Sequence, residues 1–209
     1  TRRSSDLNGG KAPVGPSGMM LQIAMATNCI VAELKMVPNQ KLEFGGDGKQ
    51  RREDDLIAYT WDQFLKTGDA NWPARNPMVK SAVRAMDTIT AFLALPAQGP
   101  VTVDQYVVTG ASKRGWTTWT TAAVDNRVIA FAPLVIDLLN VQVSFRHHYA
   151  ALGFWQPAVI DYENHNMFDW FGTRPMQDLY DLVDPYSYLS RYITKPKYVY
   201  NSAGDQFFL

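Results

Sequence analysis

The chain has 209 residues, with 20 Lys and Arg balanced by 20 Asp and Glu, 46% hydrophobic residues and a single cysteine. The apolar fraction excludes a disordered chain, and zero formal charge does not suit a general nucleic-acid binder, which needs a basic face to displace counterions from phosphates. Cys29 alone excludes an intramolecular disulfide, and any metal site would rest on His and carboxylates, for which His165 with Asp161 or Asp169 lacks a third ligand.

In chain order, residues 8–18 form a Gly/Pro-rich loop and 19–26 a helix ending at Asn28-Cys29. The run Ile30–Val37 is β-rich and reads as a strand, with Cys29 assigned to a buried strand position. Residues 42–52 read as a loop, and Arg51 to Asp55 as a solvated helix start with its acids near the N-terminus. Helical spacing of apolar residues then predicts helices over 55–66 and 78–95. Strands are predicted at 101–109, 128–136 and 197–201, with a helix at 113–124. Strands alternating with helices indicate a parallel α/β sheet covered on both faces. The longest apolar stretches, 19–26 and 128–139, fall short of the roughly 20 residues that span a bilayer, so no membrane span is expected. No signal peptide is visible in the first residues.

The segment Tyr106–Trp116 reads YVVTGASKRGW: a β run passes through Gly110-Ala111-Ser112 directly into a helix. That is the setting of a nucleophile elbow, a sharp strand-to-helix turn that presents a serine Oγ above the sheet. Ser112 is then the nucleophile, and the Lys113 amide, at the helix N-terminus, faces a developing oxyanion. The usual spacing is G-x-S-x-G, whereas here the second glycine, Gly115, comes one residue later and Arg114 takes its place. The alternative is that Ser112 merely caps the following helix.

On GASKRGW, together with 132–140 (APLVIDLLN), 55–62 (DLIAYTWD) and 195–208 (KPKYVYNSAGDQFF), the chain resembles the PhoPQ-activated pathogenicity-related proteins of the α/β-hydrolase superfamily. The resemblance implies an α/β-hydrolase fold, with a mostly parallel sheet, helices on both faces and a helical cap insert. Residues 1–140 would form the core, 141–194 the aromatic-rich cap and 195–209 the return to the core. Ser112 would be the nucleophile and Asp205 the acid of a serine hydrolase acting on an ester or peptide, without a cofactor. Asp205 also reads as an Asx-type turn, and Asp137 is the rival acid, with a helix N-cap as its plainer reading. An arginine in the elbow also resembles glucuronoyl esterases, which gives Arg114 an oxyanion role and raises an esterase on polysaccharide-linked acids as a further option. Asn8-Gly9-Gly10 resembles the loop whose backbone donates the second oxyanion N–H, so Gly9 and Gly10 join the candidate set.

The superfamily's chain order is Ser, acid, His, yet no His follows Asp205. His147, His148 and His165 precede it and read as surface or interface residues. The expectation is therefore a hydrolase truncated at both ends, whose base lies beyond the present C-terminus. In the insert, Trp155 and Trp170 are candidates for contact with a small-molecule or peptide substrate. The acids Asp161, Glu163, Asp169, Asp178, Asp181 and Asp184 would select a cationic group or form a solvated face. The family's name reflects regulation rather than chemistry, so the rival reading is an inactive hydrolase-fold protein that signals by binding. Export to the periplasm or outside the cell is expected from the resemblance only.

Overall fold

A computed structural model describes residues 15–38 and 41–208. The fold is mixed α/β, and the chain divides into two compact units at Glu53/Asp54.

In the first unit, Ser17 caps helix α1 (Gly18–Thr27) by accepting the Met20 N–H at 3.4 Å, and Asn28 ends it in the left-handed region at φ 53°. No α1 residue is buried. The strand predicted over 30–37 does not form; the chain there is irregular, and Cys29 is exposed rather than buried in a strand. A β-rich run becomes a strand only where a neighbour completes its ladder, and among the described residues this one has none. The stretch expected to be a loop instead contains a minimal antiparallel hairpin, β1 (Leu42–Glu43) with β2 (Gln50–Arg51). Asp47, in its turn, takes a two-pronged bond from Arg51 at 2.7 and 3.2 Å, and that bond holds the carboxyl down to about 2.

In the second unit, α2 (Glu53–Thr67) buries Leu56, Ile57, Trp61, Phe64 and Leu65. The Ala74 N–H donates to the buried Thr60 hydroxyl at 3.1 Å, which ties the loop before α3 (Arg75–Leu93) back onto α2. Then β3 (Tyr106–Ala111), α4 (Lys113–Val124) and β4 (Val128–Leu134) follow, with β3 and β4 parallel and in register from Val107↔Ala130 to Ala111↔Leu134. The predicted strand at 197–201 is a parallel strip beside β4, bridged at Phe131↔Lys197 and Leu134↔Tyr200. It is held by the Tyr198 and Tyr200 amides donating to Phe131 and Pro133 carbonyls at 3.1 and 3.2 Å.

All of α4 except Arg114 and Val124 is buried, with Trp119 edge-on to Phe131 (5.0 Å between centroids) and tilted against Tyr192 (5.3 Å). The other face differs from the expectation of cover on both sides: Val107, Ile129, Tyr198 and Tyr200 are exposed. The alternation along β3 reflects this, since period-two strands put successive side chains on opposite faces.

Residues 141–191 are short helices and turns, as predicted: α5 (Val141–Leu152), α6 (Ile160–Asn164) and α7 (Arg174–Val183), interspersed with 3-10 turns at 157–159, 167–170 and 185–191. Asp184, expected among solvated acids, is instead buried. Its carboxylate accepts the Val141 and Tyr186 amides at 2.8 and 2.9 Å and fixes the start of α5 against the end of α7, while burial pushes its pKa up. The helix cap expected at Asp137 falls at Asn140, whose side chain accepts the Val143 N–H.

Candidate active site

Ser112 lies between β3 and α4 with φ 53° and ψ −126°, a combination that L-residues rarely adopt. It occupies the N-cap position, yet its hydroxyl makes no capping hydrogen bond. Its backbone instead carries the turn: the Ser112 N–H donates to Leu134 O on the neighbouring strand at 2.9 Å, and the Ser112 carbonyl accepts the Trp116 N–H at 3.0 Å. A serine placed only to cap would spend its Oγ on the helix. This one keeps it free in a strained conformation, and such strain clusters at functional sites.

The two glycines of the motif make the turn possible. A Cβ on Gly110 would lie 2.7 Å from the Arg114 carbonyl oxygen and 2.8 Å from its carbon. On Gly115 it would lie 2.5 Å from Ile136 Cγ2 and 3.0 Å from the carbonyl oxygens of Gly110 and Leu134. The one-residue shift of the second glycine is thus accounted for: position 115 lies too close to the strand backbone for a Cβ. Arg114 is half-buried and is absent from the walls of the cavity below Ser112.

That cavity, about 30 Å³, has room for about one water. Ser112 and Asp205 both border it, and its floor is a buried polar network. Lys113 Nζ pairs with Asp54 Oδ2 at 2.8 Å, and Tyr162 donates its hydroxyl proton to Asp54 Oδ1 at 3.2 Å. Arg75 donates to the Lys113 carbonyl at 3.2 Å and lies 3.9 Å from the Trp116 ring centroid, while its Nε finds no protein acceptor. The Thr117 hydroxyl donates to the same carbonyl at 3.1 Å. Lys113, the residue whose amide opens α4, is therefore tethered by both its side chain and its carbonyl. Burial raises the Tyr162 pKa, reinforced by the Asp54 charge, so the phenol remains protonated.

Three strand ends converge here. Ser112 follows β3, Val135 and Asp137 follow β4, and Asp205 follows the 197–200 strip, the edge where parallel α/β sheets gather ligands. The backbone after β4 is strained as well: Val135, Leu139 and Asn140 have φ of 46°, 67° and 95°. Val135, a β-branched residue ill-suited to that region, borders the cavity and donates its N–H to Tyr200 O at 2.6 Å. Asp205 Oδ1 accepts the Phe207 and Phe208 amides at 2.7 and 3.2 Å, an Asx-type turn that also fixes the carboxylate. Asp137 is exposed on one side; partial burial, followed by the Asp205 charge, raises its pKa, so the two candidate acids are neighbours.

Of the other sequence candidates, Gly9 and Gly10 lie outside the described residues. Trp155 stacks on Phe168 at 3.6 Å between centroids, inside the aromatic cluster of the insert, and Trp170 ends a 3-10 turn; neither borders the cavity. His147 is exposed, and His165 lies 3.6 Å from Asp55. His148, expected at the surface, is fully buried, because its ring closes a backbone bridge between two loops. Asp54, Arg75 and Tyr162 were not singled out in the sequence, and Asp54, rather than standing in a solvated helix start, is half-buried and paired with Lys113. Among the described residues, no three His, Cys, Asp or Glu side chains could jointly hold a metal ion, and no helix is long and apolar enough to cross a membrane.

The family model for PhoPQ-activated pathogenicity-related protein matches residues 6–209. The chain belongs to that family. The elbow, the strip at 197–200 and the Asp205 loop described above all fall within the stretch that this PhoPQ-related family model covers. The chain is also 40% identical over 188 residues to autocrine proliferation repressor protein A of Dictyostelium discoideum, an alignment covering 90% of this chain and 37% of that protein. The chain thus spans little more than a third of that relative's length. No solved structure matches it.

Proposed function

We propose that this chain carries the nucleophile and acid of an α/β-hydrolase-type serine hydrolase that cleaves an ester or peptide bond. The observation that carries the reading is Ser112 itself: strained at φ 53°, uncapped, and bordering the same cavity as Asp205. In this reading Ser112 Oγ attacks the substrate carbonyl carbon and its proton passes to a histidine. The carbonyl oxygen becomes an oxyanion held by the Lys113 amide. Collapse of the tetrahedral intermediate expels the alcohol or amine, which takes the proton from the histidinium, and water then hydrolyses the acyl-serine. Asp205 orients the histidine and supports its positive charge. None of the three histidines of this chain borders the cavity. Arg114 does not border the cavity, whereas the cations Arg75 and Lys113 do. Substrate reaches the site from the insert side, and the protein works in an exported compartment.

The test is labelling of the intact protein with a fluorophosphonate, which phosphonylates an activated serine. Ser112 is expected to label and Ser112→Ala to abolish it. Equal labelling of the variant overturns the reading. The relative's name, a proliferation repressor, favours a second reading in which the fold signals by binding alone. Complete absence of labelling in the intact wild-type protein, with a folded Ser112 segment, would select it.

A further inference from the structure

His148 differs from the other two histidines in its burial. Its ring is fully buried in α5, and both nitrogens are bonded to backbone. The Gln156 N–H donates to Nε2 at 3.1 Å, so Nε2 carries no proton. The proton is therefore on Nδ1, which donates to the Phe207 carbonyl at 3.0 Å. The N–H of that same peptide group, on Phe208, in turn donates to Asp205 Oδ1 at 3.2 Å, beside the Phe207 N–H at 2.7 Å. One unbroken chain of hydrogen bonds thus runs from the turn before Pro157 through the imidazole to the carboxylate beside Ser112. Trp155 packs against the ring at 5.5 Å between centroids.

We propose that His148 is a positioning residue for the acid loop: its Nδ1–H latches Phe207, and through Phe207 it sets where the Asp205 carboxylate stands. The consequence for Ser112 rests on the serine-hydrolase reading above; the latch itself does not. A neutral imidazole of fixed tautomer suits the task because it offers one donor and one acceptor about 2 Å apart on a rigid ring, so the insert and the acid loop move as one.

Two amide side chains separate this role from simple packing. Asn places an N–H donor where Nδ1 stands, and Gln places its amide where Nε2 stands. In the intact protein, His148→Gln should raise hydrogen exchange of the Phe207 and Phe208 amides by about tenfold, the worth of one lost hydrogen bond, and slow fluorophosphonate labelling by a similar factor. His148→Asn should leave both within about threefold of wild type. If His148→Gln does not fold, Gln156→Pro serves instead. Gln156 already has φ −67° and ψ 153°, so proline fits and deletes only the amide that fixes the tautomer. It should also speed Phe207 exchange. Equal effects of Asn and Gln, or unchanged exchange in Gln and in Gln156→Pro, would overturn the latch. Altered exchange in a protein that never labels would support the latch while removing the hydrolase reading.

Discussion

Gly110→Ala puts the elbow's geometry to its most direct test. Ordinary contact between a Cβ and a heavy atom begins near 3.4 Å, whereas the new methyl would stand 2.7 Å from the Arg114 carbonyl oxygen, a shortfall of about 0.7 Å (3.4 − 2.7). The obstructing atoms are backbone in the first turn of α4, so no rotamer change relieves the contact. Overpacking costs about 1–3 kcal/mol where side chains can yield, and here it falls at the top of that range. Replacing glycine also stiffens the unfolded chain, which returns about 0.4–1 kcal/mol. The net loss is about 2–3 kcal/mol, or a melting temperature lower by about 4–12 °C for a domain of this size.

Gly204→Ala is the internal control, since its Cβ would meet nothing within 4 Å and its φ is not positive. Thermal unfolding followed by circular dichroism on both variants decides the matter. If Gly110→Ala melts within about 2 °C of Gly204→Ala, the close approach of α4 to β3 is not what the elbow depends on, and the account of its glycines is wrong.

Two further outcomes follow from the charges around the cavity. Asp54→Asn leaves Lys113 without its carboxylate in a pocket where the two side chains are only 16% and 9% exposed, and should cost about 3 kcal/mol, read as a shift in urea midpoint. Adding Lys113→Met should recover at least half of that loss, because an apolar chain replaces a buried charge; a double variant as unstable as the single would refute the pairing. Asp137→Asn should stabilise the protein at neutral pH. In the folded state partial burial and the Asp205 charge raise the Asp137 pKa, so ionised Asp137 is disfavoured relative to the unfolded chain. The stabilisation is present at pH values above the raised folded value and disappears as the pH falls through it, where wild type is protonated and resembles Asn. Stability curves measured from pH 7 to pH 4 that run parallel, or diverge in acid, would contradict that sign.

What could be read from the sequence was what depends on near neighbours in the chain. The helix at 113–124 and the strand start at Val128 were placed to the residue, since α4 and β4 combine local propensity with burial. The elbow was legible because glycine, serine and helix onset all fall within six residues. The run at 30–37 misled for the opposite reason: its β-rich composition describes a surface waiting for a partner. Asp54, Arg75 and Tyr162 could not be found, because each is ordinary in its own segment and acquires meaning only through Lys113. The position of Arg75 between Pro73 and Pro77 gave no signal of a guanidinium stacked on Trp116. His148 was misjudged because the partner that claims its ring, Phe207, lies 59 positions away.

The even charge balance of the whole chain conceals a local asymmetry that bears on the proposed chemistry. Two cations, Arg75 and Lys113, lie buried in the wall of the cavity that Ser112 borders, together with Asp205, whose charge Asp137 also feels. Acyl transfer from a serine separates charge: negative charge gathers on the substrate oxygen near the Lys113 amide, and positive charge on the histidine that takes the Oγ proton. Cations in the wall favour the first and the Asp205 carboxylate the second, and both are set before substrate arrives, when reorganisation would otherwise raise the barrier. The same arrangement explains why Lys113 is tethered so heavily. Its Asp54 partner moderates the ammonium and its carbonyl is fixed by Arg75 and Thr117, so the first turn of α4 is held by both side chain and backbone.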